Sequence, residues 1–507
     1  MLCNHYLGEN DMDVSYRPSA LTALPAGRLP AGILIASILL VGCKSPQACC
    51  DPSLVKRQIA CRTGTTMETV PPCESLIPSG VVLEDGLSED EAVLTALSNN
   101  SAFQATLALL GAAGGDAVQA TKLANPQFLT YFPSGAKEGQ YTLYAPIESY
   151  FLRPSRVKAA NREYRRVGEQ LVQNGLNLAR DVRVAYADWA LAKRQTQLAE
   201  EAQGIRNSIS ELTNKRLKEG DISELETIAA KVDALNAKAT LGVQRNAVRI
   251  AEARIATLIG LPHLGQPLEP GDLSDPMLPI QSEEELVQEA LACRPDLHSA
   301  KWAVAAARER STLSRWLWWR IDGVLDVRST SNYTRTGGGL RLDVPIFNRN
   351  EGGILRADWE LNAATHNRDA ISDQIAADVR TAYRQLQQAY ENLQILKRDV
   401  EPALVEALQI AQKGFQDGGS DYLLVLQTTT QYLTARDQIL VQTAACHRAV
   451  AELERSVGRS LLAPPLESEA LVDFTSPAPV VVESVEIKND ENEPGLVELL
   501  APERSEP

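Results

Sequence analysis

The stretch Asp181-Val182-Arg183-Val184-Ala185-Tyr186 returns, with one residue changed, as Asp378-Val379-Arg380-Thr381-Ala382-Tyr383. Two near-identical hexapeptides roughly 200 residues apart mark a duplicated unit. Each lies deep inside a long helical pattern. In the second copy Val379, Tyr383, Leu386, Tyr390 and Leu393 advance by alternating steps of four and three, the spacing of a heptad seam. Val182, Tyr186 and Trp189 open the same rhythm in the first.

The flanks repeat in the same order. Gly86 to Asn100 is echoed by Gln281 to Pro295, Ala145-Pro146-Ile147 by Val344-Pro345-Ile346, and Arg216 to Gly220 by Gly414 to Gly418. The chain therefore divides into repeat one (87–262), a linker (263–280) and repeat two (281–462). In repeat one the patterns predict helices over about Ser88–Leu123, Pro154–Lys218 and Ser223–Ile259, with strands between Asn125 and Tyr150. Repeat two predicts helices over about Ser282–Ser314, Gly353–Gln416 and Asp421–Gly458. At 1.5 Å per residue the long helix of each repeat is roughly 100 Å and the shorter ones about 55 Å. Each repeat reads as one continuous rod packed on two shorter pieces stacked end to end. Such a rod has little core of its own and must bury its seams against the other repeat and against other chains.

Composition agrees. Of 507 residues 44% are apolar and only 5% aromatic, which favours long helices over a large globular core. The net charge of -15 argues against nucleic acid, because phosphate binding needs a basic face.

Strands are clearest in repeat two, at Ile321–Arg328 and Leu340–Ile346. In the second of these Leu340, Leu342, Val344 and Ile346 share one face and Arg341 and Asp343 the other, the apolar-out, polar-in alternation of a membrane strand. Gly337-Gly338-Gly339 is expected to make the turn between the two, and it lacks the Lys-Ser/Thr of a phosphate loop. Trp316, Trp318 and Trp319 have the place of an interfacial aromatic girdle, the other reading being a soluble hairpin with packed tryptophans. Repeat one carries weaker equivalents at Gln127–Phe132 and Tyr141–Ile147. Four strands cannot close, and open edges are not tolerated in hydrocarbon. The chain is thus expected to donate its four strands to a shared barrel, of eight strands from two copies or twelve from three.

At the N-terminus, Arg28 precedes an apolar run from Leu29 to Leu40, too short to span the ~30 Å hydrocarbon core but suited to a signal peptide. Leu40-Val41-Gly42-Cys43 resembles the lipobox of bacterial lipoproteins, which implies a signal peptide over 1–42 and lipidation of Cys43. The leader is long and carries Glu9, Asp11 and Asp13, and Met12 offers an alternative start. Residues 43–86 read as a polar linker whose Cys49, Cys50, Cys61 and Cys73 are open to disulfides, to one pair, or to none. Their spacing matches no zinc pattern. The Pro- and Glu-rich tail, 463–507, is expected to be disordered.

These features together resemble the TolC-type outer-membrane efflux protein family over Leu87 to Leu461. The resemblance rests on the duplicated helix starts, Arg294-Pro295-Asp296-Leu297, the Pro-Ile after each hairpin, the run Gly418 to Gln427, and Tyr432-Leu433 with Ala435-Arg436. It implies a mainly α fold with membrane β-structure: duplicated helical hairpins forming a trimeric α-barrel, continued by a shared 12-stranded β-barrel with four strands from each chain. It also implies an exit duct of a tripartite efflux or type I secretion system, docked on a periplasmic adaptor (membrane fusion) protein that is attached to an inner-membrane pump. The homotrimer would sit in the outer membrane of a Gram-negative-type bacterium, anchored by lipid. The alternative is a periplasmic coiled-coil structural or adaptor-like lipoprotein without a channel.

A duct needs a lumen and a gate rather than catalysis. The hairpin tips carry Arg216, Gly220 and Asp221 in repeat one and Asp417, Gly418, Gly419 and Asp421 in repeat two, where the resemblance places adaptor contact. Many relatives resemble Asp-Val-Leu-Asp just past the second tip. Here Leu424 and Gln427 occupy those positions, so an acidic ring is missing and an apolar constriction gating by dewetting is expected instead. Cys293 with His298, and Cys446 beside His447, read as ordinary helix residues, with no third ligand for a metal. No nucleophile–base pattern appears, so neither an enzyme nor a cofactor is expected.

Overall fold

The computed structural model describes residues 52–67, 77–79, 81, 86–132, 138–262, 268–271, 278–330, 333–417, 419 and 421–461. The lipobox with Cys43, the leader, Cys49, Cys50, Cys73, Gly418 and the acidic tail lie outside them. Within repeat one the elements are α2 (Glu89–Asn99), α3 (Ser101–Thr121), β1 (Gln127–Tyr131), β2 (Gly139–Pro146), α4 (Glu148–Glu219) and α5 (Glu224–Leu258), preceded by a short helix α1 (Pro52–Thr63). Repeat two supplies α6 (Glu283–Cys293), α7 (Pro295–Ser314), β3 (Ile321–Ser329), β4 (Thr334–Leu342), α8 (Glu351–Ile395), a π-helical segment (Leu396–Val400), α9 (Glu401–Gln416) and α10 (Tyr422–Val457).

Helix starts follow local chemistry. Ser88, Ser223 and Ser282 each close a capping box with the glutamate three residues on, satisfying two orphan N–H groups per helix. The two stretches expected as single helices are broken. Asn100 ends α2 and its side chain caps α3 through the Phe103 N–H at 2.9 Å. Pro295 ends α6 because it has no N–H for the helix ladder, yet it suits the first turn of α7. α4 runs 72 residues without a break, about 108 Å at the α-helical rise. Its counterpart in repeat two is interrupted by the π segment, just before Pro402. One residue more separates Asp378 from Gly418 than separates Asp181 from Gly220. A π turn takes up a single added residue without breaking a helix, and the missing N–H of Pro402 is tolerated beside it.

The repeated hexapeptide does the same work twice. Val182 and Tyr186, with Trp189 beyond them, are buried in the core of repeat one, and Val379, Leu386 and Leu393 in that of repeat two. A fully buried leucine of this kind contributes ~2 kcal/mol. Arg183 reaches Glu89 and Asp90 at the start of α2, and Arg380 reaches Glu283 and Glu284 at the start of α6. Arg183 also pairs with Glu454 of α10, tying the repeats together, while within repeat two Asp378 pairs with Arg294 at 3.2 Å and Arg455 at 3.5 Å.

The stretch read as a plain linker contains α1, which docks through two apolar side chains. Val55 and Ile59 enter the core, and Ile59 fills the space left beside Gly175 of α4. Arg62, 1% exposed, donates to the Gly458 carbonyl at 3.0 Å, and the Arg62 carbonyl accepts from the Ser460 N–H at 2.7 Å. α1 therefore clasps the long helix of repeat one to the end of repeat two. Cys61 on it is an exposed free thiol.

The elements form tiers with one lateral order. The strands make one antiparallel sheet, β1-β2-β3-β4. Directly below, α3 packs on α4, α4 on α7, and α7 on α8; farther down, α5 packs on α4, α4 on α10, and α10 on α8 and α9. Every tier starts with repeat one and ends with repeat two.

Candidate functional site

Two regions carry the expected function, the sheet and the hairpin tips. Register sorts the sheet into two faces. Gln140, Thr142 and Tyr144 of β2 lie across from Arg328, Asp326 and Val324 of β3, which face Arg335, Gly337 and Gly339 of β4. The opposite face carries Phe128 and Leu143 with Ile321, Leu325, Val327, Leu340 and Leu342. Leu129 and Val324 also fall on the first side and Thr130 and Thr336 on the second, so one side is mainly polar and the other mainly apolar, as a strand between water and lipid requires. Asp326 accepts from Thr142 at 2.8 Å, Gln140 at 3.0 Å and Arg328 at 2.9 Å, so its charge is satisfied within the polar face.

The triple glycine does not make the turn. Gly337, Gly338 and Gly339 lie inside β4 opposite Asp326, Leu325 and Val324. The reversal is instead closed by the Thr330 N–H donating to the Tyr333 carbonyl at 2.9 Å. Backbone pairing with the well-formed β3 outweighs the turn preference of glycine, and a run without side chains leaves the polar face open beside Asp326. The strand also ends at Leu342, so Asp343, Val344 and Ile346 lie past it. Trp316, Trp318 and Trp319 occupy the turn between α7 and β3. Trp316 and Trp319 are exposed, and the Trp318 ring leans on Trp319 at 4.7 Å.

At the other extreme, α4 ends on Gly220 with φ 78°, which a side chain would strain. The Gly220 and Asp221 N–H groups return to the Leu217 and Arg216 carbonyls, satisfying the helix end. The second tip closes through the Gly419 N–H to the Gly414 carbonyl at 2.8 Å, without a left-handed residue at 419. Arg216 joins the two tips: its guanidinium lies 4.9 Å over the Phe415 ring and 4.0 Å from Asp221. Asp417 and Asp421 are exposed beside it.

A contact that the sequence reading missed fastens the hairpins. Tyr422, at the start of α10, donates to Asp233 of α5 at 2.6 Å, and its ring lies 6.5 Å from that of Phe415. Burial and the carboxylate both raise the phenol's pKa, so it stays a donor. Only the excess of aromatics at a chain reversal, in a protein poor in them, hinted at Tyr422; nothing signalled Asp233. Leu424 and Gln427 are exposed on the face of α10 turned away from buried Tyr422 and Val425. They are available to a lumen or to a neighbour.

Among the described residues no cluster of His, Cys, Asp and Glu could hold a metal ion, and no helix is long and apolar enough to cross a membrane. His298 is engaged with the Ala292 carbonyl at 2.9 Å, and Cys293 and Cys446 are buried.

The family model described as outer membrane efflux protein matches residues 93–261 and 286–459, one match within each repeat. The chain belongs to this family. Among curated relatives it is 24% identical over 411 residues to the cobalt-zinc-cadmium resistance protein CzcC of Cupriavidus metallidurans, covering 78% of this chain and 94% of that one. It is 23% identical over 329 residues to the nickel-cobalt-cadmium resistance protein NccC of Alcaligenes xylosoxydans, covering 61% of this chain and 70% of the other. Among solved structures, the outer-membrane channel OprN superposes with a TM-score of 0.64 at 19% identity, over 74% of this chain and 90% of that chain. The fold is that of an outer membrane efflux channel.

Proposed function

We propose that three copies of the chain close into an exit duct spanning the outer membrane and the periplasm, and that a periplasmic adaptor links it to an inner-membrane pump. The observation that carries this is the shared lateral order of the tiers. Among the described residues, the strand, upper helix and lower helix layers all end in edges with no further neighbour, β1, α3 and α5 on one flank and β4 with α8 and α9 on the other. A surface whose two different flanks must meet forms head-to-tail contacts, and a ring results when the rotation closes. Exposed apolar side chains on both flanks support it, among them Leu225, Ile228, Val232 and Leu235 at heptad spacing on α5, and Leu355 and Trp359 on α8.

Three chains bring twelve strands, wide enough for water, and twelve long rods below them. Cys43 would carry the lipid anchor, Trp316, Trp318 and Trp319 would lie at the membrane interface, and the tips around Arg216 and Gly419 would meet the adaptor. The resistance relatives support divalent transition-metal cations as cargo, selected by the pump rather than by the duct. Membrane fractionation followed by unheated gel electrophoresis tests the reading. A heat-sensitive trimer in the outer membrane is expected, and a soluble monomer would overturn it.

A further inference from the structure

Helices α4 and α7 expose matching stripes where they meet the sheet. On α4, Phe151, Pro154 and Lys158 are exposed at steps of three and four, and on the α7 side Trp316, Thr312 and Arg308 follow at steps of four. In each stripe an aromatic ring lies nearest the strands and a cation about 10 Å farther down. The two helices pack side by side below the adjacent strands β2 and β3. Two neighbouring basic groups are neutralised, Arg162 by Glu309 and Arg310 by Glu163, whereas Lys158 and Arg308 are exposed and form no ion pair among the described residues. The surroundings are basic in an acidic chain. Against a net charge of -15, residues 150–166 hold Arg153, Arg156, Lys158, Arg162, Arg165 and Arg166 with Glu163 alone opposing. Residues 301–320 are similarly one-sided, with Glu309 as their only carboxylate.

Exposed rings followed by unpaired cations one headgroup depth away match the boundary between acyl chains and phosphate. We propose that Lys158 and Arg308 bind the phosphates of anionic phospholipids in the membrane leaflet on the helical side. Lipopolysaccharide phosphates belong to the opposite leaflet, at the other ends of the strands. The inference rests on the channel reading above, since only a bilayer-embedded sheet puts a headgroup layer at this level.

The test reconstitutes the full-length protein in bilayers of equal phosphatidylglycerol and phosphatidylcholine and counts retained lipids by native mass spectrometry. Wild type is expected to retain phosphatidylglycerol preferentially, and the double variant Lys158→Gln/Arg308→Gln to lose about fivefold of that preference per cation removed. The charge-preserving Lys158→Arg/Arg308→Lys should keep it. A heat-sensitive trimer in the bilayer with no preference, or with a preference unchanged in the neutral variant, overturns this inference alone. Failure to enter bilayers at all overturns the channel reading and this inference with it.

Discussion

At the scale of single residues, two positions carry more than their size suggests. Gly260 closes α5 with φ 75°, and a Cβ there would sit 2.6 Å from the Asn99 carbonyl oxygen. Gly260→Ala is expected to destabilise by about 1–3 kcal/mol, whereas Gly242→Ala, mid-helix with nothing within 4 Å, should stabilise slightly. Unfolding midpoints of the two variants decide it; equal shifts would refute the strain. Glu169 is the second. Burial raises its pKa to about 7 despite the opposing Arg62. Between the ordinary carboxylate range and that value the folded chain holds a proton that the unfolded chain has released. Its contribution to stability therefore falls as pH rises through that window and stays lowered above it. His298, 3.9 Å away, works in the opposite sense, because burial lowers its pKa and protonation on acidification costs stability. Glu169→Gln removes only the first contribution, so its gain in midpoint over wild type should grow from about pH 5 to about pH 8. A gain independent of pH would contradict the assignment.

At the scale of elements, the hairpin tips are held by few bonds. Tyr422→Phe removes the hydrogen bond to Asp233 while keeping the ring against Phe415, and should loosen the pair of hairpins. Planar-bilayer recordings are expected to show larger or longer openings; conductance identical to wild type would exclude this bond from the closed state. Such a contact joins residues far apart in sequence, and no periodicity announces it. Helices and seams were legible because a step of four and three over many turns admits one packing face, as with Val379, Leu386 and Leu393. Strand faces were legible too, from Leu340, Arg341 and Leu342. The reversal was not, because Gly337 to Gly339 satisfies turn chemistry locally and only the pairing with β3 assigns it to a strand. α1 escaped notice because its two core residues, Val55 and Ile59, are too few to stand out as a period.

At the scale of the whole molecule, the ring turns single side chains into sets of three. Leu424, exposed beyond the second tip, would then recur around the constriction. Leu424→Asp is expected to raise cation over anion permeability, read as a shifted reversal potential in a salt gradient, and an unshifted potential would remove Leu424 from the pore. The π segment has its effect at this scale as well. Without it, the extra residue in repeat two would turn everything beyond it by about 100° about the helix axis. Phe415 would then point away from Tyr422 and Arg216. Deleting Val400 together with Pro402→Ala should straighten the rod while leaving Phe415 in phase, so trimers survive. Deleting Gln388, above the π segment, offers no such slack for Leu386 and Leu393, and trimers should be lost on the same unheated gel. The bulge is thus a splice: it lets two unequal copies of one ancestral unit reach the far end of the duct facing the same way.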